Sequence, residues 1–360
     1  MNNRYLIAVA VTFIVAVAAV LVSQQRAPQT SRDKYALFPE LSGRINDVSE
    51  LAVRDGQSVL TVRRVSGNWS IADADDYPAL VDKVKQTVLA VSDLQVIAEK
   101  TDNPDLYKRL GVEDPDSTGA ISNLLTVSGN GEQLAELVVG KTRRSKSAAG
   151  APGLYVRIPD QQQALLVEGR LSVSADIIDW IRRDIIDIEG DRVNAVRLRP
   201  AGGTEVFLDR ENTADDLALH DIPEGKEPAS EYLLGRMASV LENIYVEGVK
   251  KENSIDFSRP DTIIDITTFD GLTATIQVVK SGKHTYAGFS FAAQDSGVAT
   301  SESPAETDAG EEAELTPEQE AETLNSLVQG WAYRLSSSKV ELYGHTLSDL
   351  VQDPVEEETE

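Results

Sequence analysis

Alternating apolar and polar residues early in the chain predict a β-hairpin. The alternation runs through 48–53 and 59–65, and Asp55-Gly56 between these stretches favours a tight turn. Trp69 and Ile71 continue the pattern. We therefore expect an antiparallel sheet to start near residue 48.

Further strands follow in the first half of the chain. They are predicted at 121–128, 132–139, 154–158 and 163–167. Asn130-Gly131 joins the first two of these as a second hairpin turn.

A period of about 3.6 residues predicts amphipathic helices between the strands. One helix follows Pro78, with an apolar face formed by Val81, Val84, Val88 and Val91. A short helix is predicted at 104–111, closed by Gly111. A third is predicted at 175–186, with a buried side formed by Ile177, Ile178, Ile181 and Ile185.

The same succession of patterns begins again about 145 residues later. The stretch 193–199 resembles 48–54, 269–279 resembles 129–139, and "HTYAGF" carries a tyrosine where "GLYVRI" does. A second amphipathic helix is predicted 153 residues after the helix that follows Pro78, with Leu234, Met237, Leu241 and Ile244 on its apolar face. In addition, Trp180 and Trp331 each begin a Trp-x-x-Arg pattern that is predicted to be helical. Unrelated α+β segments can share such patterns, but the ordered succession of five matches favours duplication of a folding unit.

The stretch 292–315 is rich in Ser, Ala, Gly and acidic residues, which predicts a disordered acidic loop. A helix is predicted directly after it. Thr316 and Gln319 form a capping box around Pro317 at the first helical position. The core face of this helix is assigned to Leu324, Leu327, Val328, Trp331 and Leu335.

An apolar run at 6–22 predicts a transmembrane helix, since about 17–25 residues span a bilayer. A cleaved secretory signal is the alternative. The small-x-small pattern at Ala16 and Ala18 lies inside the apolar run, where a peptidase does not normally cut, so an uncleaved signal-anchor is favoured. Residues 1–5 would then be a cytoplasmic tail and 23–36 a polar tether.

The orientation of this anchor follows from two opposing considerations. Arg4 precedes the run, whereas Arg26, Arg32 and Lys34 follow it, and a literal count of basic residues would keep the large domain in the cytoplasm. Long domains are translocated largely regardless of charge. We therefore expect a single-pass protein of the inner (cytoplasmic) membrane with the bulk of the chain in the periplasm.

Charge and cysteine content exclude several functions. The chain of 360 residues has a net charge of −25, which disfavours binding of nucleic acid or an anionic lipid surface. Fourteen acidic residues lie in 302–322 and in the acidic tail 353–360, and without them the net charge is −11. The absence of cysteine excludes disulfides, cysteine–zinc sites and thiol catalysis.

Three short motifs resemble phosphate-binding or catalytic motifs, but the sequence around each of them does not fit that function. Gly140-Lys141-Thr142 lacks the upstream glycine of a phosphate-binding loop and is interpreted as a basic loop. Ser290 in "GFSFA", with His345 downstream, resembles a nucleophile elbow without the required strand-to-helix turn. Ser336-x-x-Lys339 matches a serine–lysine pattern without its partner motifs.

Metal and acid–base sites are not predicted either. The three histidines His220, His284 and His345 are far apart in sequence and are assigned surface or capping roles. "DADDYP" lacks the spacing of a calcium loop, so Asp75 and Asp76 are interpreted as charges at a helix N-terminus. No catalytic residue, cofactor-binding residue or metal ligand is predicted.

Several motifs together resemble the bacterial family called domain of unknown function 4340. In chain order these motifs are "FPELSGRINDV", "W-x-I…YPA", "KTDNPDLYKRLGVEDP" at 100–115, "LVVGK", "LYVRIP" and the two Trp-x-x-Arg patterns. The resemblance covers nearly all of the chain beyond the anchor. It implies an envelope protein with an N-terminal membrane helix, often encoded beside ABC transporter subunits similar to those of gliding-motility systems. It brings no catalytic residues.

These observations predict an α+β fold in which a transmembrane helix precedes two related modules, each an antiparallel sheet packed with amphipathic helices. The modules are assigned to 37–190 and 191–352. The predicted function is that of a membrane-anchored periplasmic accessory or interaction protein of an ABC-type transport system, and not of an enzyme. A binding module for envelope polymer or lipid, and an envelope hydrolase, are the alternatives. The patterns do not specify an oligomeric state.

Small residues recur every four positions in the predicted membrane helix. Ala8, Thr12 and Ala16 would line one side of it, where they would let a second helix approach closely. The hypothesis is that this stripe docks against a transporter subunit or a second copy of the chain. The alternative is a plain anchor in which alanine is merely common.

Overall fold

A computed structural model of the protein describes residues 34–143, 152–294 and 315–354. The chain divides into two compact units. The first comprises Met1–Ser58 and Lys85–Val173, and the second comprises Val59–Val84 and Ser174–Glu360. Each unit is built on large antiparallel sheet, as predicted, with few helices.

Seven strands form the sheet of the first unit, in the order β1-β6-β10-β9-β8-β7-β2, and every pair is antiparallel. They are β1 (Tyr35–Ala36), β2 (Val48–Arg54), β6 (Gln95–Thr101), β7 (Asn123–Gly129), β8 (Glu132–Arg143), β9 (Gly153–Arg157) and β10 (Ala164–Glu168). Alternate residues of these strands are buried because successive side chains point to opposite faces. Leu51, Val53, Leu125 and Val127 are fully buried in this way.

Nine strands form the main sheet of the second unit, in the order β11-β16-β20-β19-β18-β17-β12-β13-β14. They are β11 (Asp184–Ile186), β12 (Val193–Pro200), β13 (Val206–Asp209), β14 (Ala218–Leu219), β16 (Ile244–Lys251), β17 (Thr262–Thr268), β18 (Leu272–Ser281), β19 (His284–Ala293) and β20 (Trp331–Leu335). The unit also contains a short meander, β3 (Val59–Val65), β4 (Asn68–Ile71) and β5 (Tyr77–Pro78), and the pair β15 (Glu227–Pro228) and β21 (Val351–Gln352).

The helices of the described residues are short. The α-helices are α1 (Val81–Ser92), α2 (Tyr107–Leu110), α3 (Glu231–Ala238), α4 (Pro317–Val328), α5 (Ser337–Tyr343) and α6 (Leu347–Leu350). The 3₁₀ turns are Leu41–Gly43, Ile45–Asp47, Ala72–Ala74, Pro104–Leu106, Ile177–Asp179, Gly190–Arg192, Ser239–Leu241 and Glu252–Ser254.

The two sheets fit the two predicted modules. The order of the first sheet, β1-β6-β10-β9-β8-β7-β2, recurs strand for strand in the second as β11-β16-β20-β19-β18-β17-β12. Tyr155 and Tyr286, which the sequence patterns matched, lie on the corresponding strands β9 and β19. Each also packs in a small apolar cluster beside an alanine of the next strand, Ala164 or Ala332.

A shared irregularity marks the start of corresponding strands β2 and β12. Each strand follows a 3₁₀ turn, Ile45–Asp47 or Gly190–Arg192. The register then shifts just after the first residue, between Val48 and Glu50 in one unit and between Val193 and Ala195 in the other. Because bulges break the simple alternation of pairs, a bulge at the same position supports descent from one folding unit.

The predicted match between the helices is displaced by almost one helical turn. Val81, assigned to the buried face of α1, is 41% exposed, and Ile244, assigned to the second helix, is the first residue of β16. An offset of 150 residues pairs buried Val84 with buried Leu234 and also aligns the strands that follow. A helical pattern repeats every three to four residues, so a slip of three leaves most apolar positions matched.

The prediction of a helix at 175–186 is wrong. This stretch forms the 3₁₀ turn Ile177–Asp179 and the strand β11. Isoleucine is branched at Cβ and favours strands, and the backbone N–H of Val246 donates to Arg183 at 3.0 Å where pairing with β16 begins. The Trp-x-x-Arg helices are also wrong, because Trp180 ends the 3₁₀ turn and Trp331 begins β20.

The capping prediction for the last long helix is confirmed. Thr316 accepts from the backbone N–H of Gln319, whose side chain in turn accepts from the N–H of Thr316, and Pro317 is the first helical residue. The helix ends at Val328, so Trp331 and Leu335 belong to β20 and not to its core face. Helix α4 lies within the β19–β20 connection, residues 294–330, where the first unit has the short connection 158–163 between β9 and β10.

We predict that Gly129→Ala destabilises the first unit. A Cβ at position 129 would lie 2.3 Å from the carbonyl oxygen of Asp47, beside the β2 bulge, so the backbone must move. The free energy of unfolding should fall by roughly 1–3 kcal/mol in urea denaturation. Gly43→Ala is the matched control, because its Cβ would meet nothing within 4 Å. Equal midpoints for the two variants would contradict the prediction.

Candidate functional site

The membrane-helix packing residues Ala8, Thr12 and Ala16 lie outside the described residues, as do the predicted anchor and most of the acidic loop. Within 34–143, 152–294 and 315–354, the helices are all too short or too polar to cross a bilayer.

The segment 100–115, the most specific of the family-like motifs, forms a compact turn of helix in the first unit. Asn103 caps it by accepting from the N–H of Asp105 at 3.0 Å, and Gly111 ends it with a φ of +69°. The Tyr107 hydroxyl donates to the carbonyl oxygen of Gln162. Each of these contacts fixes the local backbone.

Gly140 and Lys141 complete this packing. A Cβ at position 140 would lie 2.7 Å from the carbonyl oxygens of Leu110 and Gly111, so only glycine allows strand β8 to approach so closely. The Lys141 ammonium donates to the carbonyl oxygen of Lys108 at 3.0 Å, at the C-terminal end of the helix. Gly140-Lys141-Thr142 therefore lies in a strand, not in the predicted basic loop, and the lysine caps a helix.

Arg157 of "LYVRIP" is the central residue of the same cluster. Its side chain is 5% exposed, and Nε donates to the carbonyl oxygen of Val112 at 3.0 Å. A second guanidinium nitrogen bonds the Asp114 carboxylate, and the Tyr107 ring centroid lies 5.0 Å away. Since these groups of the chain itself occupy the guanidinium, we interpret Arg157 as a clamp on the 112–114 backbone.

The serine motifs do not form nucleophilic sites among the described residues. Ser290 lies within strand β19, with Thr275 opposite it on β18, and His345 is not part of the cleft that Ser290 lines. The Ser336 hydroxyl lies 3.1 Å from that of Ser338 at the start of α5. The Lys339 ammonium donates to the carbonyl oxygen of Ser239 at 2.7 Å.

The histidines lie in three separate environments. Nε2 of His220 is 2.7 Å from the Asp209 carboxylate, and His284 is exposed at the start of β19. Nε2 of His345 is buried without a hydrogen-bond partner. Groups of three or more potential metal-ligating side chains are not found in the described part of the chain.

The acidic stretch "DADDYP" is a turn and does not cap a helix. Asp76 accepts from Arg63 at 2.9 Å and from the Ser70 hydroxyl at 3.2 Å. The hydrogen bond from Arg63 is the main reason that the pKa of Asp76 is held below its usual value. Asp75 and Asp76 both have positive φ, and α1 begins five residues after Asp76, so their predicted role at its N-terminus is wrong.

A cleft of about 390 Å³ opens in the second unit, where strands β19 and β20 separate. The ladder between them comprises Tyr286–Arg334 and Ala287–Tyr333. Strand β20 continues to pair with β16 as far as Trp331, whereas β19 runs on towards Ala293 beside helix α4. The cleft is the gap between these diverging strands.

Asn325 of α4 takes the place of a neighbouring strand at one end of the gap. Its side chain accepts from the N–H of Phe291 at 2.9 Å and donates to the carbonyl oxygen of the same residue at 2.8 Å. Because backbone groups alternate along a strand, the N–H and C=O of Phe289 point to the same side as those of Phe291. The ladder between β19 and β20 gives Phe289 no partner.

The lining of the cleft combines neutral polar groups with aromatic rings. Its members are Glu252, Thr275, Gln277, Gly288, Phe289, Ser290, Phe291, Asn325, Val328, Gln329, Gly330 and Trp331. Glu252 is the ionisable side chain among these described residues. The Tyr77 ring meets that of Trp331 edge-on at 4.8 Å, and the Lys251 ammonium lies 5.7 Å from the indole centroid.

Helix α4 is fixed to the sheet at its other end by Arg192. The guanidinium donates to the Glu320 carboxylate at 2.9 and 2.6 Å and to Asp270 at 2.6 Å. The hydrogen bonds to Glu320 are the main reason that the pKa of Arg192 is raised. With Asn325 at one end and Glu320 at the other, the helix forms a wall of the cleft at a set distance from β19.

The sequence patterns single out Ser290 only as a near match to a nucleophile elbow, a role that its sequence context excludes. Trp331 was assigned to a helix, and Asn325, Gln329 and Glu252 were not singled out. The available signal is the repeat itself, since the connection 294–330 is far longer than its counterpart 158–163 in the first unit. Function often lies in such departures from a shared scaffold.

We predict that Arg157→Lys lowers the free energy of unfolding by roughly 3 kcal/mol, because lysine cannot reach the Val112 carbonyl and the Asp114 carboxylate together. Chemical denaturation measures the loss. Arg54→Lys is the control: Arg54 pairs with Asp116 on the surface, where such a pair contributes about 0–1 kcal/mol. A cost as small as that of the control would show that Arg157 is not a clamp.

A second prediction concerns pH. Burial lowers the pKa of Lys339 to about 8, from 10.5 in the unfolded chain. Between these values the unfolded lysine holds a proton that the folded one has lost, so the free energy of unfolding should rise with pH, by up to roughly 3 kcal/mol. Denaturation midpoints at pH 7.5, 9 and 10 should show this rise in the wild type and in Lys280→Met, an exposed control, but not in Lys339→Met. Parallel curves for all three would contradict it.

Comparison with known proteins gives one match. A model of the family described as domain of unknown function (DUF4340) matches residues 69–251, just over half of the chain, and the cleft residues all follow that stretch. No curated protein and no solved structure matches the chain. The resemblance inferred from the motifs is thereby confirmed: the chain belongs to the DUF4340 family.

Proposed function

We propose that the protein is a non-catalytic accessory protein of an ABC-type transport system, anchored in the inner membrane, whose periplasmic second module binds a ligand. The observation that carries the binding role is the cleft between β19 and β20. It interrupts the strand pairing of one module, and a helix tied to the sheet at both ends forms its wall.

The chemistry of the cleft favours binding over catalysis. Its described lining consists of amides, hydroxyls and aromatic rings, with Glu252 as its ionisable member. Ser290 lies opposite Thr275, whose hydroxyl donates to Asp265, whereas a nucleophilic serine needs an adjacent base and oxyanion donors. Concave sites with a few converging polar groups and apolar walls are typical of ligand binding.

The membrane and transporter parts of the proposal come from the sequence. The apolar run at 6–22 has the length of a spanning helix. The resemblance to an envelope family that is often encoded beside ABC transporter subunits supports the choice of partner.

Topology and partnership are tested together. Alkaline phosphatase fused after Glu360 should be active, because the bulk of the chain is expected in the periplasm, where the enzyme folds. Full-length protein, extracted in mild detergent and analysed by pull-down and mass spectrometry, should enrich ABC transporter subunits at least about tenfold over an unrelated anchored bait.

Two controls locate the association. Changing Ala8, Thr12 and Ala16 together to leucine keeps the apolar run but fills its small-residue stripe. Loss of the transporter subunits from that variant would assign docking to the membrane helix, and their retention would assign it to the sheet modules. An inactive phosphatase fusion, with a fluorescent cytoplasmic reporter in the same position, would overturn the proposal.

A further inference from the structure

We infer that the cleft between β19 and β20 is a binding site for a neutral oligosaccharide. This inference rests on the proposed binding function and names the ligand class. Three properties of the described residues carry it: the hydrogen-bonding groups of the cleft, its aromatic wall and its acidic rim.

The hydrogen-bonding groups suit hydroxyls. Gln277 and Gln329 each offer an amide with donors and an acceptor, and Ser290 adds a hydroxyl, whereas the Asn325 amide is already bonded to Phe291. The backbone N–H and C=O of Phe289 point to the same side of the strand as those of Phe291, which Asn325 binds. A sugar hydroxyl is both donor and acceptor, so a ring with several of them can pair with such mixed groups without a net charge on either side.

The aromatic wall suits the apolar face of a sugar ring. Trp331 lies at the end of β20 and is half-buried, and Tyr77 holds its orientation by packing edge-on at 4.8 Å. Phe289 and Phe291 are buried, so Trp331 provides the accessible aromatic surface among these three rings. A flat, rigid ring that is partly exposed offers contact area at little cost in conformational entropy.

Charge and shape select against other ligands. Glu252 lines the cleft, and Glu318 and Glu322 line a neighbouring depression of about 630 Å³ that shares Asn325 and Gln329 with it. These three carboxylates exceed the single positive charge of the Lys251 ammonium beside Trp331, so together these groups repel phosphate and uronate groups. The depression lies beside the wall residues Asn325 and Gln329, and it extends the acidic rim next to the cleft.

An extended peptide fits less well. A peptide that adds to a sheet needs a run of free backbone groups along one strand edge. Asn325 already occupies the N–H and C=O of Phe291, which leaves Phe289 alone between that contact and the last β19–β20 pair. A single residue between these two contacts has too few backbone groups to set the register of an added strand.

The test uses the full-length protein in detergent, titrated with maltotetraose and with the tetramer of N-acetylglucosamine, and read by calorimetry and tryptophan fluorescence. At least one of these neutral sugars should bind saturably. Since the chain has three tryptophans, Trp331→Phe should abolish the fluorescence change, and Trp69→Phe, the matched control, should keep it. Ser290→Tyr, which suits a strand but fills the cleft, should weaken binding at least about tenfold by calorimetry.

Tetragalacturonate is the anionic comparison and should bind at least about tenfold more weakly than the neutral sugars. The inference is overturned if neither neutral tetramer binds, if Ser290→Tyr binds as well as the wild type while melting at the same temperature, or if the anionic sugar binds equally. Enrichment of transporter subunits is measured separately. Its persistence without sugar binding would sink the ligand assignment and leave the transport role standing.

Discussion

Strand β20 pairs with β19 over only two residues, and this short ladder determines how the second unit is built. Trp331–Leu335 pairs along its length with β16, but the ladder to β19 holds only the pairs of Tyr286 and Ala287. Backbone groups need partners, so the rest of the β19 edge must be satisfied in some other way. Asn325 does so at Phe291, which places helix α4, and Arg192 holds the other end of that helix through Glu320. The cleft is the space that this arrangement leaves.

Local signals in the sequence predicted much of the fold. Asp55 accepts from the N–H groups of Gln57 and Ser58, as its turn position indicates, and Asn130 and Gly131 both have positive φ. The capping box at Thr316 formed as expected. In each case the interaction joins residues only a few positions apart, and the residue type therefore carries the information.

The failures came where pairing between distant segments decides the structure. The isoleucines of 175–186 have helical spacing, yet the edge of β16 draws this stretch into a strand. The cleft depends on how far β19 and β20 stay together, across a connection of residues 294–330, and no local pattern encodes that. The family-like motifs were recognisable for the opposite reason: Gly111, Gly140 and Arg157 are fixed by close backbone contacts, so they mark a fold more than a chemistry.

The strand order also sets the sequence in which the protein can fold. Leu51 pairs with Val127, and Val196 pairs with Ile266, so each sheet closes through strands that are far apart along the chain. The chain must lose conformational entropy to close the long loops between these strands before the contacts form, so topologies of this kind fold slowly. A ribosome must synthesise β7 before β2 can pair with it, and β10 before the sheet of the first unit is complete. Until β10 and β20 have been synthesised, the earlier strands of each sheet therefore have unpaired edges, which are the parts of a growing chain that are prone to pair with the wrong partner.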